Sequence, residues 1–421
     1  MNKGMKVSDR LQSVPMSGIR KMFDLAKPDS INLGLGEPDL EPPAEAIRAM
    51  AKAAEEGKNK YSPTAGIPEL RDAVAARYAR YNPDLKGKNV IITPSGSTAL
   101  LEISQAFIDP GDEVLVPSPG FVIYAPHAKL AGGVPVEYRL TEGDFQPDID
   151  YIQSKITSRT KMIVVNNPAN PTGGVLSEEN RNALADIAKD KGIMILSDEV
   201  YDSFIYEGKH SSFLPYLDRS VVAGGFSKMM AVTGWRLGFA FAEEECMDAL
   251  IKMQYHVCAS PSMPGMYGVL GALPGIDPYI ENARKVYKAR RDLITKRINE
   301  IEGMSLIPPR GAFYAFPSYD MDMPSQDLAN ELVKAGLICT PGSAFGTFGE
   351  KHLRFSYAAS EEKIDKGMDI LADTVRKIRG GRILANSTTP THVSSEETRQ
   401  NPRRPRKRRP SSTCTAGTPT A

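Results

Sequence analysis

The sequence predicts an α/β protein, with a mainly parallel sheet covered by helices in a large domain and a smaller α+β domain after it. Three observations carry this. Short apolar runs read as strands at residues 89–93, 113–116, 134–138, 161–165, 193–197 and 221–223, and stretches of helical patterning separate several of them. Such alternation feeds neighbouring parallel strands through right-handed crossovers. At 421 residues the chain is too long for one simple core and suits one large and one smaller domain. Several of the runs also exit into Gly, Ser, Asn or Pro, and in open α/β sheets such strand ends form the ligand-binding edge.

Composition is ordinary for a globular enzyme, at 41% hydrophobic and 24% charged. The four cysteines (Cys246, Cys258, Cys339, Cys414) form no CxxC spacing and no disulfide framework, which fits a reducing compartment. The five histidines form no metal-like cluster, so no metal site is expected. The N-terminus has no basic flank leading into an apolar segment, and no apolar run approaches the ~18 residues of a membrane helix. A cytoplasmic protein without membrane contact is the expectation. The formal charge of +1 hides two objects. Residues 381–421 hold eight Lys/Arg and two Glu, a local +6, which leaves the other 380 residues at −5. That segment is rich in Ser, Thr and Pro and cannot bury enough surface to fold, so it reads as a disordered basic tail. Its charge alone would give only weak binding to nucleic acid or another polyanion.

In chain order, residues 19–26 form a short amphipathic piece. Ile31 to Asp39 is a short strand running into a glycine-rich turn, where Gly36 lets backbone approach a ligand closely. Helical patterning covers residues 44–54 and 68–81, with Pro68 suited to a first turn. Tyr61 lies in the loop between them. After the 89–93 strand, Ser95, Gly96 and Ser97 open a helix whose N–H groups and dipole favour an anion. The 113–116 strand leads to Phe121. The 161–165 strand leads to a double Asn-Pro turn, residues 166–173, which contains Asn170. A helix at 178–191 precedes the 193–197 strand, with Asp198 at its carboxyl end and Tyr201 just beyond.

The 221–223 strand leads into Gly224-Gly225-Phe226-Ser227-Lys228, and Arg236 follows inside a Thr-Gly-Trp-Arg-Leu-Gly turn. A lysine in a dry pocket loses part of its preference for the charged state and becomes a nucleophile towards aldehydes. Arginine's planar fork grips phosphate through two parallel hydrogen bonds. This pair suits a cofactor with an aldehyde at one end and a phosphate at the other. Residues 285–300 read as a long charged helix joining the domains. Residues 311–316 and 353–358 alternate like half-buried strands. Arg354 sits among apolar neighbours, which is costly unless an anion meets it.

These motifs, in this order from about residue 30 to about residue 380, resemble the class I/II aminotransferases, pyridoxal-phosphate enzymes with the aspartate aminotransferase fold. The resemblance implies a seven-stranded, mainly parallel sheet. It implies an N-terminal arm and part of the small domain at 1–45, a large cofactor domain at 46–284 and a small C-terminal domain at 285–380; the tail, 381–421, lies outside it. It implies pyridoxal 5′-phosphate held covalently by Lys228, which then serves as proton carrier. Asp198 would keep the pyridine nitrogen protonated, Tyr201 and Asn170 would meet the phenolic oxygen, and Phe121 would stack on the ring. Ser95, Gly96, Ser97 and Arg236 would hold the phosphate, with Ser227 joining them and Tyr61 reaching it from the other subunit of a homodimer. Gly36, Asn170 and Arg354 would bind substrate, Arg354 at the α-carboxylate.

The expected reaction is amino transfer from an L-amino acid to a 2-oxo acid, 2-oxoglutarate by family default, in a ping-pong sequence. The donor is aspartate or a broad or aromatic set. A lyase reaction on the same fold is the alternative, and a nucleic-acid-binding regulator the non-enzymatic one. Two departures stand out. Gly225 replaces a hydroxyl that many relatives carry three positions before the lysine. Ser97 stands where one prokaryotic aspartate aminotransferase group has a lysine, which leaves aromatic and branched donors open.

Overall fold

The computed structural model describes residues 6–14 and 27–381. The amphipathic piece at 19–26 and the basic tail beyond 381 lie outside them. In chain order the strands are β1 (Ile31–Asn32), β2 (Val90–Thr93), β3 (Glu113–Ser118), β4 (Val134–Arg139), β5 (Thr160–Asn166), β6 (Met194–Asp198) and β7 (Ser220–Gly225). They continue as β8 (Gly238–Phe241), β9 (Met304–Ser305), β10 (Tyr314–Ala315), β11 (Ser318–Tyr319), β12 (Leu337–Ile338), β13 (Thr340–Pro341) and β14 (Leu353–Ser356).

Seven strands form one sheet in the order β2-β8-β7-β6-β5-β3-β4. Every pairing is parallel except the two made by β8, so six strands run one way and β8 alone runs against them. The central strands β5, β6 and β7 are almost wholly buried, as expected of Val/Ile-rich runs covered by helices on both faces. The helix Glu178–Lys191 shows how local signals set such a crossover. Ser177 caps its N-terminus, Glu178 and Glu179 occupy its first turn, and Gly192 ends it in the left-handed region.

Apolar clusters line the two faces of this sheet, one around Val74, Ile195 and Phe239 and the other around Ile103, Val164 and Leu196. A third cluster joins Tyr201 and Leu33 to Phe313, Tyr314, Leu337, Phe355 and Ile364. It holds the small sheets β10-β14-β13 and β9-β11, and β1 pairs in parallel with β12. The N-terminal strand thus returns to the C-terminal part of the chain and brings residues 33–37 over the edge of the large sheet.

Several expected elements differ in extent. The helix at 68–81 stops at Tyr78, and the charged helix expected at 285–300 starts earlier, spanning Asp277–Asn299. The half-buried strands expected at 311–316 and 353–358 are corrected. Only Tyr314–Ala315 and Leu353–Ser356 are strand, and these residues are buried on both faces. In the second run Leu353, Phe355 and Tyr357 alternate with Arg354 and Ser356, which mimics a two-sided pattern, although the polar residues are buried as well.

Candidate active site

One edge of the large sheet gathers the predicted residues. β2 ends two residues before Ser95, β3 three before Phe121, β5 four before Asn170 and β7 three before Lys228, while β6 ends on Asp198. Because β8 is antiparallel, its beginning lies on the same edge, just after Arg236. Ser95, Gly96, Ser97, Phe121, Asn170, Asp198, Tyr201, Ser227, Lys228, Arg236, Arg354 and Gly36 all line one cavity of about 270 Å³. Tyr61 does not line it. That side chain is 86% exposed on its own chain.

Asp198 is 4% exposed. Its Oδ2 accepts a hydrogen bond from Tyr124 Oη at 2.7 Å, and its Oδ1 accepts the Val200 N–H at 3.3 Å. Burial pushes its carboxyl up to about 6, against the pull of the Tyr124 hydrogen bond. Register places Asp198 opposite Ala223 in β7 and Asn166 in β5. The Asn166 side chain in turn accepts the Asn170 N–H at 2.7 Å, which shapes the double Asn-Pro turn.

Lys228 lies in the one-turn helix Phe226–Met229 directly after β7. Its Nζ donates to the Gly36 carbonyl at 2.5 Å. Burial depresses the amine to about 8; Glu37 opposes this, and the nearby guanidiniums of Arg354 and Arg236 add to it. An amine so placed is a usable nucleophile and proton carrier near neutral pH. Glu37 is held beside the lysine loop by a hydrogen bond from Thr233.

Ser95 caps the helix Gly96–Phe107, accepting the Thr98 N–H at 3.0 Å. The first N–H groups of that helix border the cavity together with Arg236, a concentration of positive potential suited to a phosphate. Arg236 takes a left-handed backbone, φ 56°, and its Nη1 donates to Thr233 O at 2.9 Å. Gly238 follows because an added Cβ would overlap the Gly96 amide at the helix start.

Arg354 is 2% exposed. Its Nη2 donates to Gly34 O at 2.5 Å and its Nη1 to Asn170 Oδ1 at 3.0 Å, while Nε has no partner among the described residues. Its guanidinium lies 4.7 Å from the Tyr314 ring centre and 5.0 Å from that of Phe345. Burial lowers its affinity for its proton. A buried guanidinium with a spare donor and no carboxylate partner fits an anionic ligand.

The sequence reading missed Tyr124, Tyr314, Thr233 and Leu35. Tyr124 carried a usable signal, since it follows the 113–118 strand exit closely, but nothing local said that its hydroxyl meets Asp198. Tyr314 was legible only as an apolar residue of a short strand.

The family description "Aminotransferase class I and II" matches residues 28–371. The chain is 39% identical over 374 residues to a probable aspartate aminotransferase of Methanocaldococcus jannaschii, covering 87% of this chain and 99% of that one. It is equally identical, over 387 residues, to aromatic-amino-acid aminotransferase 2 of Thermococcus litoralis, with 89% and 99% covered. Among solved structures, a single-mutant aspartate aminotransferase of Thermus thermophilus superimposes with a TM-score of 0.83 at 35% identity, over 88% of this chain and all of that one. With the lysine, the carboxylate and the two arginines already in one cavity at the sheet edge, these likenesses decide the family: the chain belongs to the class I and II aminotransferases.

Proposed function

We propose that this aminotransferase depends on pyridoxal 5′-phosphate and moves the amino group of an L-amino acid to 2-oxoglutarate in a ping-pong sequence. The observation that carries this is that Lys228 and Asp198, at the ends of neighbouring strands, line one cavity with Arg236 and Arg354. The residues present fit the cofactor. The helix start at Gly96 and Arg236 suit its phosphate, Asp198 suits a ring nitrogen, and the free Nε of Arg354 suits a substrate carboxylate. When bound, pyridoxal phosphate supplies an electron sink for the bond broken at the substrate Cα.

The chain's own residues do the rest. Lys228 would hold the cofactor through its amine and would carry the Cα proton as base and then acid. Asp198 is a buried anion that favours a protonated ring nitrogen. Tyr201 and Asn170 would offer hydrogen bonds to the phenolic oxygen, Phe121 would pack on the ring, and Ser95, Ser97 and Ser227 would assist Arg236 at the phosphate. Arg354 and Gly36 border the substrate. The donor is aspartate or a broad or aromatic set. Ser97 adds no cation for a second carboxylate, and the relatives' names span aspartate and aromatic donors.

The domain division at 46–284 and 285–380, cytoplasmic placement and a homodimer belong to the same reading. The dimer is supported by Tyr61, whose exposed phenol would reach the partner's phosphate site. Mixing a Tyr61→Ala chain with a Lys228→Ala chain tests this, because each hybrid dimer holds one intact site. Recovery of activity on mixing is expected, and no recovery would remove the trans contact. For the reaction itself, purified protein with added cofactor should absorb visible light, and that band should fall on adding a donor. A screen of the twenty amino acids by this half-reaction identifies the donor. A colourless protein, or a Lys228→Ala chain that still turns over, would refute the assignment.

A further inference from the structure

Tyr314 stands where three parts of the site meet. Its hydroxyl lies 2.7 Å from that of Tyr201. Its ring packs 4.7 Å from the Arg354 guanidinium. Its oxygen also occupies the space that a side chain on residue 36 would need, so anything larger than glycine there would push the phenol or the loop aside. The Gly36 carbonyl in turn takes the Lys228 amine. Tyr314 comes from β10, whereas Tyr201 follows β6, so the hydroxyl pair joins the C-terminal part of the chain to the large sheet.

Two phenols sharing one short hydrogen bond must divide donor and acceptor roles. Tyr314 has a cation beside its ring, which makes its O–H the better donor. With Tyr314 donating, the Tyr201 oxygen is polarised and its own proton is free to point into the cavity. Hydrogen bonds in such a chain strengthen one another. Burial raises both phenols and outweighs the opposing pull of Arg354 at each, so neither loses its proton near neutral pH. The other charged or titratable groups acting on these two are Asp198, on both, and Lys228 nearby in the same cavity, itself under Glu37 and Arg236.

We propose that Tyr314 is a positioning residue that sets the hydrogen-bond direction of Tyr201 and links substrate-carboxylate binding at Arg354 to the cofactor side of the cavity. A carboxylate on Arg354 neutralises the cation beside the Tyr314 ring. Tyr314 then donates less strongly, and Tyr201 in turn donates less strongly to whatever oxygen it faces. Binding at one end of the cavity is thereby felt at the other without any backbone movement. This rests on the pyridoxal-phosphate reading above.

The test is a double-mutant cycle with Tyr314→Phe and Tyr201→Phe in cofactor-loaded protein. It is read by the pH midpoint of the visible band, by turnover, and by the affinity of a non-reacting dicarboxylate such as maleate. Tyr314→Phe keeps the ring against Arg354, so dicarboxylate affinity should stay within about threefold, while the midpoint rises by about half a pH unit and turnover falls about tenfold. In the Tyr201→Phe background the same change should move the midpoint hardly at all, because its route of action is gone. A Tyr314→Phe midpoint equal to the parent's, or an equal shift with and without the Tyr201 hydroxyl, would overturn the proposal. A parent protein with no visible band would instead overturn the cofactor reading, so the two failures are distinguishable. Thermal unfolding of each cofactor-free variant separates a positioning effect from loss of fold.

Discussion

Tyr124 donates a 2.7 Å hydrogen bond to Asp198, and both groups are buried. This contact decides the charge at the carboxyl end of β6. Burial alone drives the Asp198 carboxyl upward, and the phenol is the largest force holding it at about 6. At pH 7 a group with that value is mostly ionised. Tyr124→Phe should lift it towards neutrality, and cofactor affinity at pH 7 should fall about 10–100-fold, since a hydrogen bond to a charge contributes ~1.5–3 kcal/mol. Raising the pH should restore binding, because it ionises the carboxyl again. Equilibrium titration of cofactor between pH 6 and 9 measures this. A loss equal at every pH would point to packing and not to charge.

Lys228 offers a stability signature independent of catalysis. Its folded-state value, about 8, lies below the ordinary 10.5. Between those values the unfolded chain binds more protons than the folded one, so stability rises with pH across that window. For this group alone the rise amounts to roughly 3 kcal/mol, and it is lost as pH falls back through 10.5 to about 8. Urea unfolding of cofactor-free protein at pH 7.5 and 10 should show the rise in the parent and not in Lys228→Met. The Met variant should also lose about 10⁴-fold or more in turnover, the amine being both anchor and proton carrier.

Arg354→Lys keeps the charge and removes the fork. The buried ammonium cannot reproduce paired donation to a carboxylate, so KM for donor and acceptor should rise about 10–100-fold, with kcat changing less. The unpartnered Nε also predicts that a small dicarboxylate stabilises the parent against heat. That thermal shift should be largely absent in Arg354→Lys. An unchanged shift would mean that the carboxylate binds elsewhere.

Gly36→Ala tests the close approach of the 33–37 loop to Tyr314. The added methyl has no space unless the phenol or the loop moves. Overpacking of this kind costs about 1–3 kcal/mol, and it should disturb the Lys228–Gly36 contact as well. Lower unfolding midpoints together with weakened donor binding are expected. Full activity at parental stability would show that the loop relaxes freely.

Much of this site could be read from spelling alone. Lys228, Asp198, Asn170 and the Ser95-Gly96-Ser97 helix start each lie at or a few residues beyond the end of an apolar strand. The strand-exit pattern is local, because a buried strand must end where polar backbone can be satisfied, and that exit is where ligands are met. The same local reading misjudged residues 311–316 and 353–358. Arg354 and Ser356 between apolar neighbours passed for exposed positions, and the burial is two-sided.

The amino-acid order by itself therefore determined the residue chemistry and the edge on which it would appear: one lysine, one carboxylate, a serine-capped helix start and two arginines. Tertiary structure alone decided which groups those residues meet. Tyr124 is 74 residues from Asp198, Tyr314 is 113 from Tyr201, and Gly34 is 320 from Arg354. Contacts over such separations depend on the order of strands in the sheet and on the return of β1 to β12. No short stretch of sequence encodes them, because they form only when distant elements bury their apolar faces against one another.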